Sequence, residues 1–175
     1  MKPATLLLSL FTALAAPVSV LADGAAIVNG LKEVQSSTTK LGTAVTSWKG
    51  DLIGKIPILA GGLTLLATVD KATRTAKSSA PLDFGEAINV AVATTDLGTA
   101  VNTTLTALIE AKPKFDRRLL SPLILIDLGL QRKATAELSA EIIKKVPAEL
   151  QDVAKALVKP VDDGFALAIH AFHGF

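Results

Sequence analysis

The chain has 175 residues, enough for one ordinary domain, and half of them are hydrophobic while only 4% are aromatic. Its 18 Lys and Arg against 16 Asp and Glu leave a net charge of +2, and only +1 once Lys2 is set aside. That balance, with Trp48 alone and no Tyr, excludes a basic or aromatic platform for nucleic acid. The absence of cysteine excludes a disulfide framework and thiol catalysis, and a domain of about 150 residues can bury roughly two-thirds of its unfolded surface without such staples.

The N-terminus reads as a secretory leader. Lys2 is a positive start, the apolar run Leu6 to Leu14 is too short to span a bilayer, and small-residue exits follow. Ala13-Leu14-Ala15 allows a cut before Ala16, and Val20-Leu21-Ala22 one before Asp23. The expected division is a leader over 1–22 and one domain over 23–175. No later run of about 20 apolar residues is seen, so no transmembrane segment is expected, and no spacer with a hydrophobic tail signals a lipid anchor.

Five segments then carry helical periodicity. The first spans about Ala25 to Trp48, with Ile27, Leu31, Val34, Thr38, Leu41, Val45 and Trp48 spaced alternately four and three, and Gly50 ends it. The second follows Pro57 through Ile58, Gly62, Leu65, Val69, Ala72 and Ala76, widened by Leu59, Leu63 and Leu66. The third opens with Asp83 and Glu86 at capping-box spacing, continues through Val90, Thr94, Leu97, Val101, Leu105 and Leu108, and is expected to stop at Pro113. The fourth is expected from about Phe115 to Lys145, with Pro122 in its first turn and a stripe of Leu120, Ile124, Leu128, Gln131, Thr135, Leu138 and Ile142. Pro147 opens the fifth, which runs through Leu150, Ala154, Leu157, Val161, Phe165, Ala168 and Phe172, with Pro160 expected to kink or split it. Five amphipathic segments on short links make an all-α protein, an antiparallel bundle of about five helices with the last one kinked.

Chemistry is sparse along this scaffold. There is no G-x-S-x-G elbow, no phosphate-cradling glycine motif and no thiol, so no catalytic residue, cofactor or enzyme activity is expected. His170 and His173 share a face near Asp162 and Asp163 but lack a third ligand at fixed spacing, so they read as exposed C-terminal histidines and no metal is expected. Asn102-Thr103-Thr104 is a glycosylation sequon, and Asn102, one step from Val101, is expected at the surface.

Two features of the stripes stand out. Thr38, Thr94, Gln131 and Thr135 hold positions where a dry core prefers Leu or Ile. Gln131 and Thr135, four apart, could anchor a ligand head group, while the plainer reading has Thr bonding its own backbone and Gln reaching the bundle edge. The stripes also alternate large aliphatics with Ala, Gly and Thr, which implies either tight helix contacts or a long aliphatic cavity. The candidate lining of such a cavity is Leu66, Val69, Val101, Leu105, Gln131, Thr135, Leu138 and Phe165.

The order of features resembles the fungal hydrophobic surface-binding protein family, which includes cell-wall galactomannoproteins. The resemblance covers nearly all of the chain after the leader. It rests on the first helix with its unbroken stripe, on Lys112-Pro113-Lys114-Phe115 and on the helix from Leu119 to Leu138. Beyond these come Pro147, the segment Val161-Asp162-Asp163-Gly164-Phe165, and Ala168-Ile169-His170-Ala171-Phe172. It implies a five-helix bundle, secretion, binding of fatty acids or other lipids in a central apolar tunnel, adsorption to hydrophobic surfaces, and recruitment of secreted esterases. This chain departs from the wall-anchored members in lacking a Ser/Thr-rich tail and an anchor signal, which favours free secretion over a place in the wall. Lipid carrier, surface adsorber and structural wall mannoprotein remain the competing roles: the same stripes serve the first two, and in the third they would be core alone.

Overall fold

The computed structural model describes residues 20–173. Most of the expected leader therefore lies outside the described residues. Five helices follow in order: α1 Val20–Ser47, α2 Lys55–Ser78, α3 Phe84–Asp116, α4 Ser121–Lys145 and α5 Gln151–His173, the last entered through a 3₁₀ turn at Ala148–Leu150.

Local chemistry places most of the ends. Gly50, at φ 86°, turns the chain out of α1. The capping box forms: Asp83 accepts from the Glu86 amide at 2.8 Å, and Glu86 accepts from the Asp83 amide at 3.0 Å. Glu86 also accepts from the Gly24 amide at 3.2 Å, so one carboxylate caps α3 and ties it to α1. A Cβ on Gly24 would lie 2.8 Å from the Glu86 side chain, so only glycine permits this approach.

Pro113 does not end α3, which continues to Asp116. A proline in the last turn loses one amide and crowds one carbonyl. That cost is offset by Phe115, which the extra turn carries into full burial between Trp48 and Phe172. Phe115 thus belongs to α3, and α4 begins only at Ser121 with Pro122 in its first turn. Leu119 makes the reversal between them at φ 55°. Pro160 does not split α5, which runs on through it.

The helices close a ring in the order α1, α2, α4, α5, α3. Cross-links set their directions. Glu33 meets Lys71 and Ser37 meets Thr68, so α1 and α2 are antiparallel. Gly24 meets Glu86, Thr38 meets Thr104 and Trp48 meets Lys114, so α1 and α3 are parallel. Gly62 meets Gln131 and Ser79 meets Lys145, so α2 and α4 are parallel. Gly98 faces Val161 and Asn102 faces Gly164, so α3 and α5 are parallel too. Helices consecutive in the chain run antiparallel, as their short links require, while three seams of the ring join parallel partners. One result is that Lys145 caps α2, donating to the Lys77 carbonyl at 3.0 Å, because both C-termini lie at the same end.

Glycine sits in these seams. Added Cβ atoms would reach Ala72 from Gly30 at 3.3 Å and Asp127 from Gly62 at 3.1 Å. Small residues therefore serve close helix approach, yet a hollow remains for a geometric reason. Five helices at 8–10 Å spacing place each axis about 7–8.5 Å from the bundle axis, farther out than four would, and inward side chains must fill the difference.

Candidate functional site

Inward side chains do not fill it. A cavity of about 200 Å³ runs along the axis, lined by residues of all five helices. An engineered void of about 150 Å³ with aliphatic and aromatic walls admits a benzene-sized guest, so this one can take an apolar chain. Leu31, Val34 and Leu41 come from α1, Leu65 and Val69 from α2, Leu97, Val101, Leu105 and Leu108 from α3, Leu128 and Leu138 from α4, and Leu157, Val161 and Phe165 from α5.

Its polar groups are few and concentrated on α4. Asp127, Gln131, Thr135 and Ser139 line it at four-residue spacing, a lane about 18 Å long at 1.5 Å per residue. Gln131 is only 3% exposed. Its Nε2 donates to the Gly62 carbonyl at 2.8 Å, and its Oε1 is buried with no hydrogen-bond partner. Thr38 and Thr94 differ: each hydroxyl donates to its own helix, to Val34 and Val90 at 2.8 Å, and offers the cavity mainly methyl groups. No Lys, Arg or His lines the space, and Asp127 is its one ionisable residue among the described residues.

The mouth lies between α3 and α5. Ile88 and Val153 both line the cavity and are 49% and 57% exposed. The first half of α5 buries none of its residues, and burial begins only at Val161, just after Pro160. Ala154, Leu157 and Val158 thus roof the cavity without being locked into a core. At the other end Trp48, Phe115 and Phe172 close the bundle, with ring centroids 4.8 and 6.0 Å apart.

The family model for hydrophobic surface binding protein A matches residues 24–144, which takes in α2, α3 and most of α1 and α4. The chain belongs to this family. Among solved structures, Afmp4p in complex with palmitic acid aligns at TM-score 0.82 and 26% identity, covering 85% of this chain and 99% of that one. The ligand-binding domain 1 of the Penicillium marneffei MP1 protein, complexed with arachidonic acids, aligns at TM-score 0.82 and 20% identity over 86% of this chain and 98% of its own. Domain 2 of the same protein, complexed with multiple arachidonic acids, aligns at 0.80 and 22% over 86% and 96%. The MP1 domains share the all-helical fold. No curated protein matches.

In this member of the hydrophobic surface binding protein A family, Val69, Val101, Leu105, Gln131, Thr135, Leu138 and Phe165 lie together on the cavity wall. Leu66 does not. Leu65 and Val69 take the inward positions of α2, and Leu66 sits about 100° round the helix, half-buried outside the lining. Leu63, expected to widen the same stripe, is 71% exposed. Asn102 is half-buried, because the parallel α3–α5 seam brings its Oδ1 within 2.3 Å of where a Gly164 Cβ would stand. His170 and His173 are exposed, Asp162 pairs with Arg132, Asp163 pairs with Lys159, and no metal-holding cluster occurs among the described residues. Sequence reasoning missed Asp127, Ser139 and the mouth. Extending the Gln131–Thr135 spacing by four in each direction finds the first two.

Burial pushes the Asp127 carboxyl above its ordinary value of 3.8, against a smaller downward pull from a hydrogen bond with Gln131. The folded chain therefore holds this proton to higher pH than the unfolded chain does. Its contribution to stability is fully present below 3.8 and is lost as pH rises through the raised native value. Asp127→Asn should melt at a higher temperature than the unaltered chain at neutral pH, with the gap closing as pH falls toward 3.8. Melting curves across that range check this.

Proposed function

We propose that this chain is a secreted, non-enzymatic carrier that holds one long acyl chain of a fatty acid or related lipid in its axial cavity. The observation that carries the reading is the cavity itself, aliphatic over most of its wall with one polar lane along α4. Burial of an acyl chain is worth about 0.8 kcal/mol per CH₂, set against lost ligand freedom. The likeness to Afmp4p, solved with palmitic acid, supports the choice of ligand class. The leader-like start of the sequence supports secretion.

A second reading, adsorption to hydrophobic surfaces, rests on the outer wall. Of the described helices, α2 is long and apolar enough by composition to cross a membrane, yet it stands in the ring with its inner face buried. On its outside Ile56 and Leu63 are exposed, and Ile126 and Leu130 of α4 are exposed beside them, since Gly62 faces Asp127 and Gln131. This apolar band matches the property in the family's name.

Native mass spectrometry of the secreted protein, followed by solvent extraction, tests the carrier reading. A stoichiometric increment that extracts as fatty acid is expected. A ligand-free mass that stays unchanged on adding fatty acid would overturn it. Adsorption to octyl-coated beads by that same ligand-free protein, lost in Leu63→Lys/Ile126→Lys, would then leave the adsorber.

A further inference from the structure

The acyl-carrier reading leaves the head group open, and the Gln131 amide constrains it. The Gly62 carbonyl can only accept, so the Gln131 Nε2 must face it, which leaves Oε1 buried and unpartnered on a residue that lines the cavity. A buried acceptor without a donor is costly to a fold. Four residues away Asp127 adds a carboxyl to the same wall. Among the described residues no cationic side chain lines the space to receive an anion. A ligand carboxylate brought here would meet an acceptor and a carboxyl, with nothing to neutralise it.

We propose that the Gln131 station takes a hydrogen-bond-donating head group, that of a long-chain alcohol or another hydroxyl-bearing lipid, with the hydroxyl donating to Gln131 Oε1. The ligand range of the cavity thus extends past fatty acids to neutral lipids with a single hydroxyl. This rests on the acyl-carrier reading and sharpens it.

The test compares ligands of one chain length by titration of the delipidated whole protein: 1-hexadecanol, methyl hexadecyl ether and palmitate. The alcohol should bind about fivefold to tenfold tighter than the ether, the ratio set by one hydrogen bond to a buried acceptor. In Gln131→Met, which keeps the bulk and removes the acceptor, that ratio should fall to within about twofold. Equal affinity for alcohol and ether in the unaltered protein would overturn the proposal even if Gln131→Met fails to fold. So would a preference that survives the substitution, or palmitate binding without alcohol binding, both of which leave the carrier reading standing. Failure of all three ligands to bind would remove that reading as well.

Discussion

Val101→Trp should abolish lipid uptake while leaving the fold intact. Val101 sits on the inward face of α3 and lines the cavity together with Leu105, Gln131 and Phe165. Enlarging it inserts an indole into a space of about 200 Å³ that an acyl chain needs along its whole length. Overpacking a filled core destabilises by about 1–3 kcal/mol, but here the added ring enters a void and gains contacts the valine lacks. The ligand-free variant is therefore expected to melt at or near the temperature of the ligand-free original. Saturating ligand separates the two. At a hundred times Kd, binding stabilises the native state by about 2.7 kcal/mol. At about 2–4 °C per kcal/mol for a chain of this size, that raises Tm by about 5–11 °C. Val101→Trp should show no such shift and no bound mass. A shift equal to that of the unaltered protein would mean that the lipid sits elsewhere, with the outer band of α2 and α4 the next place to look.

What made this site readable was periodicity. Each stripe names the face a helix turns inward, and the inward faces of α2, α3, α4 and α5 supply the expected lining. The stripes do not say which helices are neighbours. The seams were written instead in glycines whose partners lie about 60 residues away, such as Gly24 with Glu86 and Gly164 with Asn102, and local spacing cannot reveal such pairs. That is why the place of Asn102 in the α3–α5 seam could not be read from its spacing. Leu66 went astray because a stripe at alternating three and four spacing leaves its flanking leucines undecided between inside and outside, and the ring turned Leu63 to solvent and Leu66 halfway. Pro113 misled because a local rule about helix ends was overridden by burial of Phe115 two residues later. The head-group station was half legible: Gln131 stood out as polarity inside a stripe, but its unpartnered oxygen depends on the Gly62 carbonyl across the α2–α4 seam.

That overridden rule leads to the largest stability effect expected in the molecule. Phe115→Ala should cost about 3–5 kcal/mol, the range for removing a buried aromatic side chain, and lower Tm by about 6–20 °C. Phe115 is 1% exposed and packs at tilted angles between Trp48, which follows α1, and Phe172, at the end of α5. Aromatic pairs of this kind add about 0.5–1.5 kcal/mol beyond the area they bury. Lys114 in the same turn of α3 and Arg118 just past its end hold the α1–α2 link, donating to the Trp48 and Gly50 carbonyls, each at 2.7 Å. Removing the ring empties the joint at which α1, α3 and α5 meet and takes away what favours carrying α3 past Pro113. The trio lies beyond the cavity lining, so the loss should fall on stability and not on the acyl site. Measured well below its own Tm, Phe115→Ala should bind lipid with near-original affinity, while its denaturation midpoint falls. Loss of binding at a temperature where circular dichroism still shows full helix content would instead mean that the aromatic end shapes the cavity, and that the closed end of this ring is part of the site.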